Sequence, residues 1–286
     1  MSIWEAVVLG VIQGLTEFLP ISSTAHLLFA RTLMGHKNPE DAFTVVVQLG
    51  TLVAVFAYFR ADIARLAKGW FADVRNRKIG SNPDGRLAWL IVLGTLPVVA
   101  IGFAFKKELK ENFFNLRSLA VVAIAFALLM LAAEVYARRR KSPPREEGEV
   151  NWKDALWVGV WQALALMPGG SRSGTTITAG LFAGLSRPAA AKFSFLLSLP
   201  AILGAGLKEL YDEYKKLKTP DGPPSLFASG DDVAALAVGT AASAVVGYLA
   251  IAWLLRFLKR YSTAAFVGYR LAFGAAVLGL VALKVV

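Results

Sequence analysis

Charged residues are missing from long stretches of this chain. Residues 42–59, 87–105, 118–133 and 233–255 contain no Asp, Glu, Lys or Arg. Crossing roughly 30 Å of hydrocarbon takes about 20 helical residues, and these runs reach or approach that length. Two more runs belong with them. Residues 193–207 follow a lone Lys192 whose stem can snorkel to the interface, and residues 264–285 enclose a single arginine, Arg270. None of the runs has the ten-residue alternation of a membrane barrel strand, and lipid demands an internally satisfied backbone, so all are expected to be helices. The predicted fold is an all-α integral membrane protein, a helical bundle of about six transmembrane spans.

Two further apolar stretches, residues 4–30 and 155–184, are interrupted by proline followed by small hydroxylated residues. The interruptions read LPISSTAH (residues 19–26) and MPGGSRSGTT (residues 167–176). Proline removes a donor and disfavours helix before it, while Ser, Thr and Gly begin new helices, so each stretch predicts helix, break, helix. A broken helix at membrane depth is tolerated where it lines a cavity.

The interruptions belong to an internal repeat. Gly10, Gln13 and Leu15 recur as Gly159, Gln162 and Leu164, an offset of about 149 residues, and both segments run on to a proline, Pro20 or Pro168. Further on, Phe43 with Gln48-Leu49 parallels Phe193 with Ser198-Leu199, and Gly94-Thr95 with Gly102 parallels Gly239-Thr240 with Gly247. The expected organisation is one membrane domain over residues 1–286: a first repeat, 1–137, a polar cytoplasmic linker, 138–153, and a second repeat, 154–286. If the broken pairs are re-entrant hairpins, each half crosses three times, and an odd number inverts the second half relative to the first. Paired interruptions of this kind point to a site at the bilayer midplane.

Charge orients the bundle. The segments 60–86, 138–153 and 256–260, read as loops on one face, hold 16 Lys and Arg, against 8 in the opposing loops 106–117 and 208–218. By the positive-inside rule the first set is cytoplasmic and both termini are outside. Eight full crossings would also put the two most basic loops on one side, so the hairpin reading rests on the breaks. Trp70, Trp89 and Trp152 lie near span ends as interfacial anchors.

Composition agrees with lipid as solvent: of 286 residues 56% are hydrophobic and 18% charged, with mean hydropathy +0.54, where soluble domains carry about 25% charged residues. The absence of cysteine and the presence of two histidines, His26 and His36, exclude disulfides and multi-histidine zinc centres. Net charge is +11, but in short clusters, which favours membrane orientation and no nucleic-acid binding. Residues 1–15 lack a basic n-region and are not expected to be a cleavable signal.

Chemistry concentrates at the breaks. Glu17, a carboxylate inside an apolar stretch, needs a partner, a cation or a cavity. Gln13 lies one turn earlier and shares its face. Past Pro20 come Ser22, Ser23 and Thr24, with His26 one turn after Ser22. A hydroxyl, a base that titrates near neutral pH and a carboxylate are the parts of an activated nucleophile. The second break places Arg172 among Gly169, Gly170, Ser171, Ser173, Gly174 and Thr176, at the start of a helix. Glycine amides form a nest, the helix end adds partial positive charge, and the guanidinium fork matches phosphate oxygens. The first half brings acid, hydroxyl and imidazole and the second brings arginine and amides, so the expectation is a phosphorylated ligand held between them, reached along the membrane: a lipid phosphate. Gln48 is read either as a donor that supports the site or as glue between helices, with the first slightly favoured; Glu134 reads as an interfacial ion, and Arg270 either pairs internally or snorkels.

At these residues the chain resembles the undecaprenyl-diphosphate phosphatase, or bacitracin-resistance phosphatase, family over essentially its whole length. The first signature matches Gln13, Glu17, Pro20, Ser22, Ser23, Thr24 and His26, and the second matches residues 168–176. The resemblance implies a bacterial plasma-membrane enzyme that hydrolyses the C55 isoprenyl diphosphate to its monophosphate and orthophosphate, with a site open to the outer side. It implies a divalent cation, Mg or Ca, and Ser23 as the matched nucleophile with Glu17 or His26 as proton acceptor and Arg172 on the phosphate. Partners on this reading are the long-chain prenyl diphosphate lipid and the bilayer, with a homodimer as the candidate assembly. Many members carry glutamate where this chain has Gln13, so any metal here, at Glu17, would need substrate phosphates and water to fill its shell. Chemistry alone does not separate Ser23 from Ser22 or from a water as nucleophile. The alternative function is a transporter or flippase for an anionic solute or lipid phosphate, since half-helix ends facing an anion are also transporter architecture.

Overall fold

A computed structural model describes residues 1–36, 42–113, 115–217 and 229–285, the side chains of 42, 106–113 and 217 excepted. Among the described residues there are eleven α-helices: α1 (Ile3–Phe18), α2 (Ser23–Leu33), α3 (Ala42–Tyr58), α4 (Arg60–Asn76), α5 (Pro83–Phe113), α6 (Leu116–Arg139), α7 (Trp152–Leu164), α8 (Arg172–Phe182), α9 (Arg187–Leu217), α10 (Gly230–Leu258) and α11 (Ala264–Ala282). Five of them, α5, α6, α9, α10 and α11, are long and apolar enough to cross a membrane unaided. α3 is the sixth expected span. It passes the same test together with α4, into which it bends by 79° at Phe59.

The segment 60–86, expected to be a loop, is instead largely helical. α4 is amphipathic, burying Leu66, Gly69 and Asp73, and its Asp62 accepts from Lys192 Nζ at 2.8 Å. Lys192 does not snorkel: it is fixed between Asp62 and Glu147, each at 2.8 Å. Charge spacing that looks like a loop in a hydropathy profile is here the polar face of a helix. The expected basic loops at 106–117 and 208–218 are in part the ends of α5 and α9 and in part lie outside the described residues.

Both broken pairs return to the end from which they start. Glu5 near the start of α1 stands 3.5 Å from His36 beyond α2. At α7 and α8 the link is Arg145, which holds Asp154 in a two-pronged contact at 2.8 Å and donates to the Ala183 carbonyl past the end of α8. The bond to Asp154 pushes the Arg145 pKa further up. The two pairs open at opposite ends of the bundle. The N-terminal amine lies 3.8 Å from Asp232 at the start of α10, whereas the far end of α10 leads to Ser262, whose hydroxyl accepts from Arg138 in the last turn of α6.

Helix crossings exchange partners between the halves. α1 packs along α10, and α7 along α5. A Cβ on Gly10 would collide with the Gly239 carbonyl, and one on Gly159 with the Gly94 carbonyl. These close approaches let short apolar helices pack without bulky side chains between them. At the linker end, Glu134, expected as an interfacial ion, is buried within the protein, 1% exposed. It accepts from Arg138, Arg187 and the Thr263 hydroxyl and amide, tying α6 to the starts of α9 and α11.

Candidate active site

The breaks fold alike. Pro20 and Pro168 precede chain reversals that end on serines with positive φ, Ser22 (φ 76, ψ 100) and Ser171 (φ 67, ψ 109). A non-glycine residue there costs about 1–3 kcal/mol, so the surroundings must hold it. Each serine is the N-cap of the next helix, accepting from the amide three residues on: Ala25 N to Ser22 Oγ at 3.4 Å, and Gly174 N to Ser171 Oγ at 3.1 Å. Ser22 and Ser171 are thus occupied as caps.

The tips meet at Glu17. Arg172 Nη2 donates to Glu17 Oε1 at 2.8 Å, Ser23 Oγ to Glu17 Oε2 at 2.6 Å, and Gln13 Nε2 to the same oxygen at 3.0 Å. Ser173 Oγ adds a second link between the breaks by donating to the Leu19 carbonyl at 3.1 Å. Glu17 and Gln13 are 6% and 0% exposed, so these contacts are made away from bulk water and count for more than surface ones. Two buried atoms here have no partner among the described residues, Arg172 Nη1 and Gln13 Oε1. One is half of a guanidinium fork and the other a spare acceptor.

His26 lies on the same helix as Ser23 but faces elsewhere. Its Nδ1 is 2.7 Å from the Ser22 carbonyl, which can only accept, so Nδ1 carries the proton. Nε2 is 2.7 Å from the Tyr269 hydroxyl, and the ring stacks on Phe273 with centroids 4.3 Å apart. The Ser23 hydroxyl therefore rests on Glu17 and not on His26.

Arg270, left open between internal pairing and snorkelling, pairs internally, with backbone carbonyls, and so joins the two breaks. It is 1% exposed and donates to the carbonyls of Pro20 (3.2 Å), Gly169 (2.9 Å), Gly170 (3.2 Å) and Ala123 (3.2 Å). Gly169 (φ +94) has no room for a side chain, since a Cβ would strike the Leu119 carbonyl. Other expected ligand groups have partners within the protein. Thr176 Oγ1 shares a 2.5 Å bond with Ser194 Oγ, and Gly174 leaves space for Arg270. Thr24 and Gln48 are partly buried and make no side-chain hydrogen bond among the described residues.

Sequence reasoning missed Tyr269, and it left Arg270 without a role although a lone arginine in an apolar run was itself the signal. Beside His26 and Tyr269 a lateral cleft of about 550 Å³ opens between α1, α2 and α11, walled by Ile12, Leu15, Leu19, Phe29 and Leu33. No group of three or more His, Cys, Asp or Glu able to hold a metal occurs among the described residues.

Known proteins match this chain along nearly its full length. The family described as bacitracin resistance protein BacA matches residues 6–276. The undecaprenyl-diphosphatase of Chlorobium phaeobacteroides (strain BS1) is 45% identical over 285 residues, 99% of this chain and 98% of that protein. The protein of the same name from Prosthecochloris aestuarii (strain DSM 271 / SK 413) is 44% identical with the same coverage. That of Myxococcus xanthus (strain DK1622) is 46% identical over 280 residues, 98% of this chain and 89% of its own. With matches of this extent and identity, the chain belongs to the bacitracin resistance protein BacA family.

Proposed function

We propose that this protein hydrolyses undecaprenyl diphosphate to undecaprenyl phosphate and orthophosphate within the membrane, so recycling the lipid carrier of cell-wall synthesis and conferring bacitracin resistance. The observation that carries the reading is the Ser23–Glu17–Arg172 contact, a hydroxyl on a carboxylate beside a half-free guanidinium, built from both halves of the chain. Glu17 Oε2 takes the proton from Ser23 Oγ, and the oxygen attacks the terminal phosphorus. The anhydride P–O bond breaks and its electrons leave on the lipid monophosphate. Water then hydrolyses the phosphoserine. Ser23 is favoured over Ser22 because the Ser22 hydroxyl is spent as a helix cap. Arg172 Nη1, the unpartnered prong, takes a phosphate oxygen, with the first amides of α8 beside it.

A divalent cation fits only as a companion of the substrate. Glu17 is the carboxylate at the site, and Gln13 Oε1 is the spare buried oxygen, so these two would hold magnesium or calcium while phosphates and water complete the shell. Its contribution when bound is neutralisation of diphosphate charge.

The apolar cleft beside His26 suits the proximal isoprene units, since its walls include Leu19, Ile21 and His26, chain neighbours of Glu17 and Ser23. With the basic linker end cytoplasmic, an inverted repeat puts the first hairpin and this cleft toward the outer leaflet of a bacterial inner membrane. A carrier or flippase would use Arg172 and the helix ends but has no use for a serine on a buried carboxylate. Phosphate release from a long-chain prenyl diphosphate in detergent tests the reading. Wild type releases phosphate, while Glu17→Ala, Ser23→Ala and Arg172→Ala do not. A wild type that releases none and moves anions across vesicles would replace hydrolysis with transport.

A further inference from the structure

The lateral cleft of the first half has a counterpart in the second, and the counterpart is filled. α8 packs on α6, whereas the corresponding α2 faces α11 across the open cleft and touches it through His26 and Tyr269. Trp161 occupies in Gly159-Val-Trp-Gln162 the place that Ile12 holds in Gly10-Val-Ile-Gln13. Phe182 is the last residue of α8 as Leu33 is the last of α2, and both helices have 11 residues. Ile12 and Leu33 wall the open cleft. Their counterparts close ranks. Ring centroids are 5.8 Å apart for Trp161 and Phe182, 5.8 Å for Phe182 and Tyr136 of α6, and 5.6 Å for Trp157 and Trp161. The Trp157 indole is fixed by donating to the Ala179 carbonyl at 3.2 Å. A continuous row of rings runs from α7 across α8 to α6, where the first half leaves room for a lipid chain.

This difference matters because the reacting groups do not themselves distinguish the two ends of the bundle. Glu17 and Ser23 come from one hairpin and Arg172 from the other, and they meet where the two breaks touch. We propose that Trp161 and Phe182 determine from which leaflet substrate is taken, by plugging the second lateral entrance so that a prenyl diphosphate reaches Arg172 only through the cleft of α1, α2 and α11. The proposal rests on the hydrolase reading and on the prenyl chain occupying that cleft. Ring-to-ring packing of this kind also adds to stability, but a purely structural cluster would have no bearing on which leaflet is used.

The test uses the full chain reconstituted at no more than one protein per vesicle, with long-chain prenyl diphosphate in both leaflets. Crossing of the charged headgroup through hydrocarbon is costly, so each leaflet remains a separate pool. Wild type should stop after consuming about half of the lipid in occupied vesicles, whereas Trp161→Ile/Phe182→Leu should consume nearly all of it. Both should have similar turnover in detergent, where leaflets do not exist. A double variant active in detergent that still stops at half overturns the proposal. Gain of completion accompanied by scrambling of a fluorescent phospholipid also overturns it, because the lipid would then be moving and not the entrance opening. Should the double variant fail to fold, Phe182→Leu alone is read against the same two criteria. Wild type that is inactive in detergent would refute the hydrolase reading itself, a result separate from either outcome in vesicles.

Discussion

Arg172 and Glu17 are 155 positions apart in the chain and 2.8 Å apart in space. The pair is mostly shielded, with side chains 15% and 6% exposed, and a buried pair broken on one side leaves the other charge uncompensated. Arg172→Lys preserves the charge but replaces a planar fork with a point donor, which cannot hold Glu17 and a phosphate oxygen together. The expected outcome is a fall in kcat/KM of about 10²–10³-fold, as for loss of one transition-state donor, with normal membrane insertion. Steady-state phosphate release from purified protein measures it. Turnover at the wild-type level would remove the two-pronged role.

The Ser23 hydroxyl sits on Glu17, while both nitrogens of His26 are engaged by Ser22 and Tyr269. In the proposed mechanism Glu17 is therefore the proton acceptor, and the imidazole supports the Ser22 turn. Glu17→Gln should cut kcat by about 10²–10⁴-fold. His26→Ala should lower kcat far less. A larger loss in His26→Ala than in Glu17→Gln would reverse the assignment. Tyr269→Phe, which removes only the donor to Nε2, should be the mildest of the three.

Arg270 satisfies four carbonyls from three places: the first break, the second break and α6. Each carbonyl left buried without a donor costs about 1–3 kcal/mol. Arg270→Met should therefore lower the Tm in detergent markedly and abolish turnover. Arg270→Lys should recover part of the stability but little activity, because one ammonium cannot span Pro20, Gly169 and Ala123 at once. Thermal unfolding and phosphate release on the same samples separate the two effects. Wild-type values for both in Arg270→Lys would show that the breaks keep their register without the fork.

How much of this could be read from the chain depends on the range of the interaction. The six apolar runs and the two proline-led breaks were legible because they are local: hydropathy and the Pro-to-Ser spacing are properties of a few consecutive residues. The convergence of Glu17 and Arg172 was also inferable, since a carboxylate and an arginine in matched interruptions each need a partner. α4 was not legible as a helix, because Arg60, Arg65, Lys68 and Arg75 break the apolar run while leaving an amphipathic face that buries Leu66 and Gly69. The partners of His26 were invisible for another reason. Tyr269 is 243 positions away and is brought back by α11 packing on α6, a contact no local pattern encodes. The burial of Glu134 was hidden likewise, because its partners Arg187 and Thr263 come from distant helix starts that seal it from water.

Gln13, which stands where many members of the resembled family carry glutamate, sets the last expectation. Its Nε2 donates to Glu17 Oε2 at 3.0 Å, and its Oε1 is buried without a partner among the described residues. Gln13→Glu turns a donor toward Glu17 into a second carboxylate one helical turn away, so two like charges share a buried face. Such a pair is disfavoured unless a proton or a cation lies between it, and a hard divalent ion suits two carboxylates and phosphate oxygens better than one carboxylate and an amide. The variant should therefore be less stable than wild type in chelator and regain stability on adding magnesium or calcium. Its activity should rise at lower cation concentration than that of wild type. Thermal unfolding with and without chelator gives a readout independent of turnover. Coincident cation titrations for the two proteins, with no metal-dependent shift in Tm, would mean that residue 13 does not face a cation and that Glu17 handles the diphosphate with Arg172 alone.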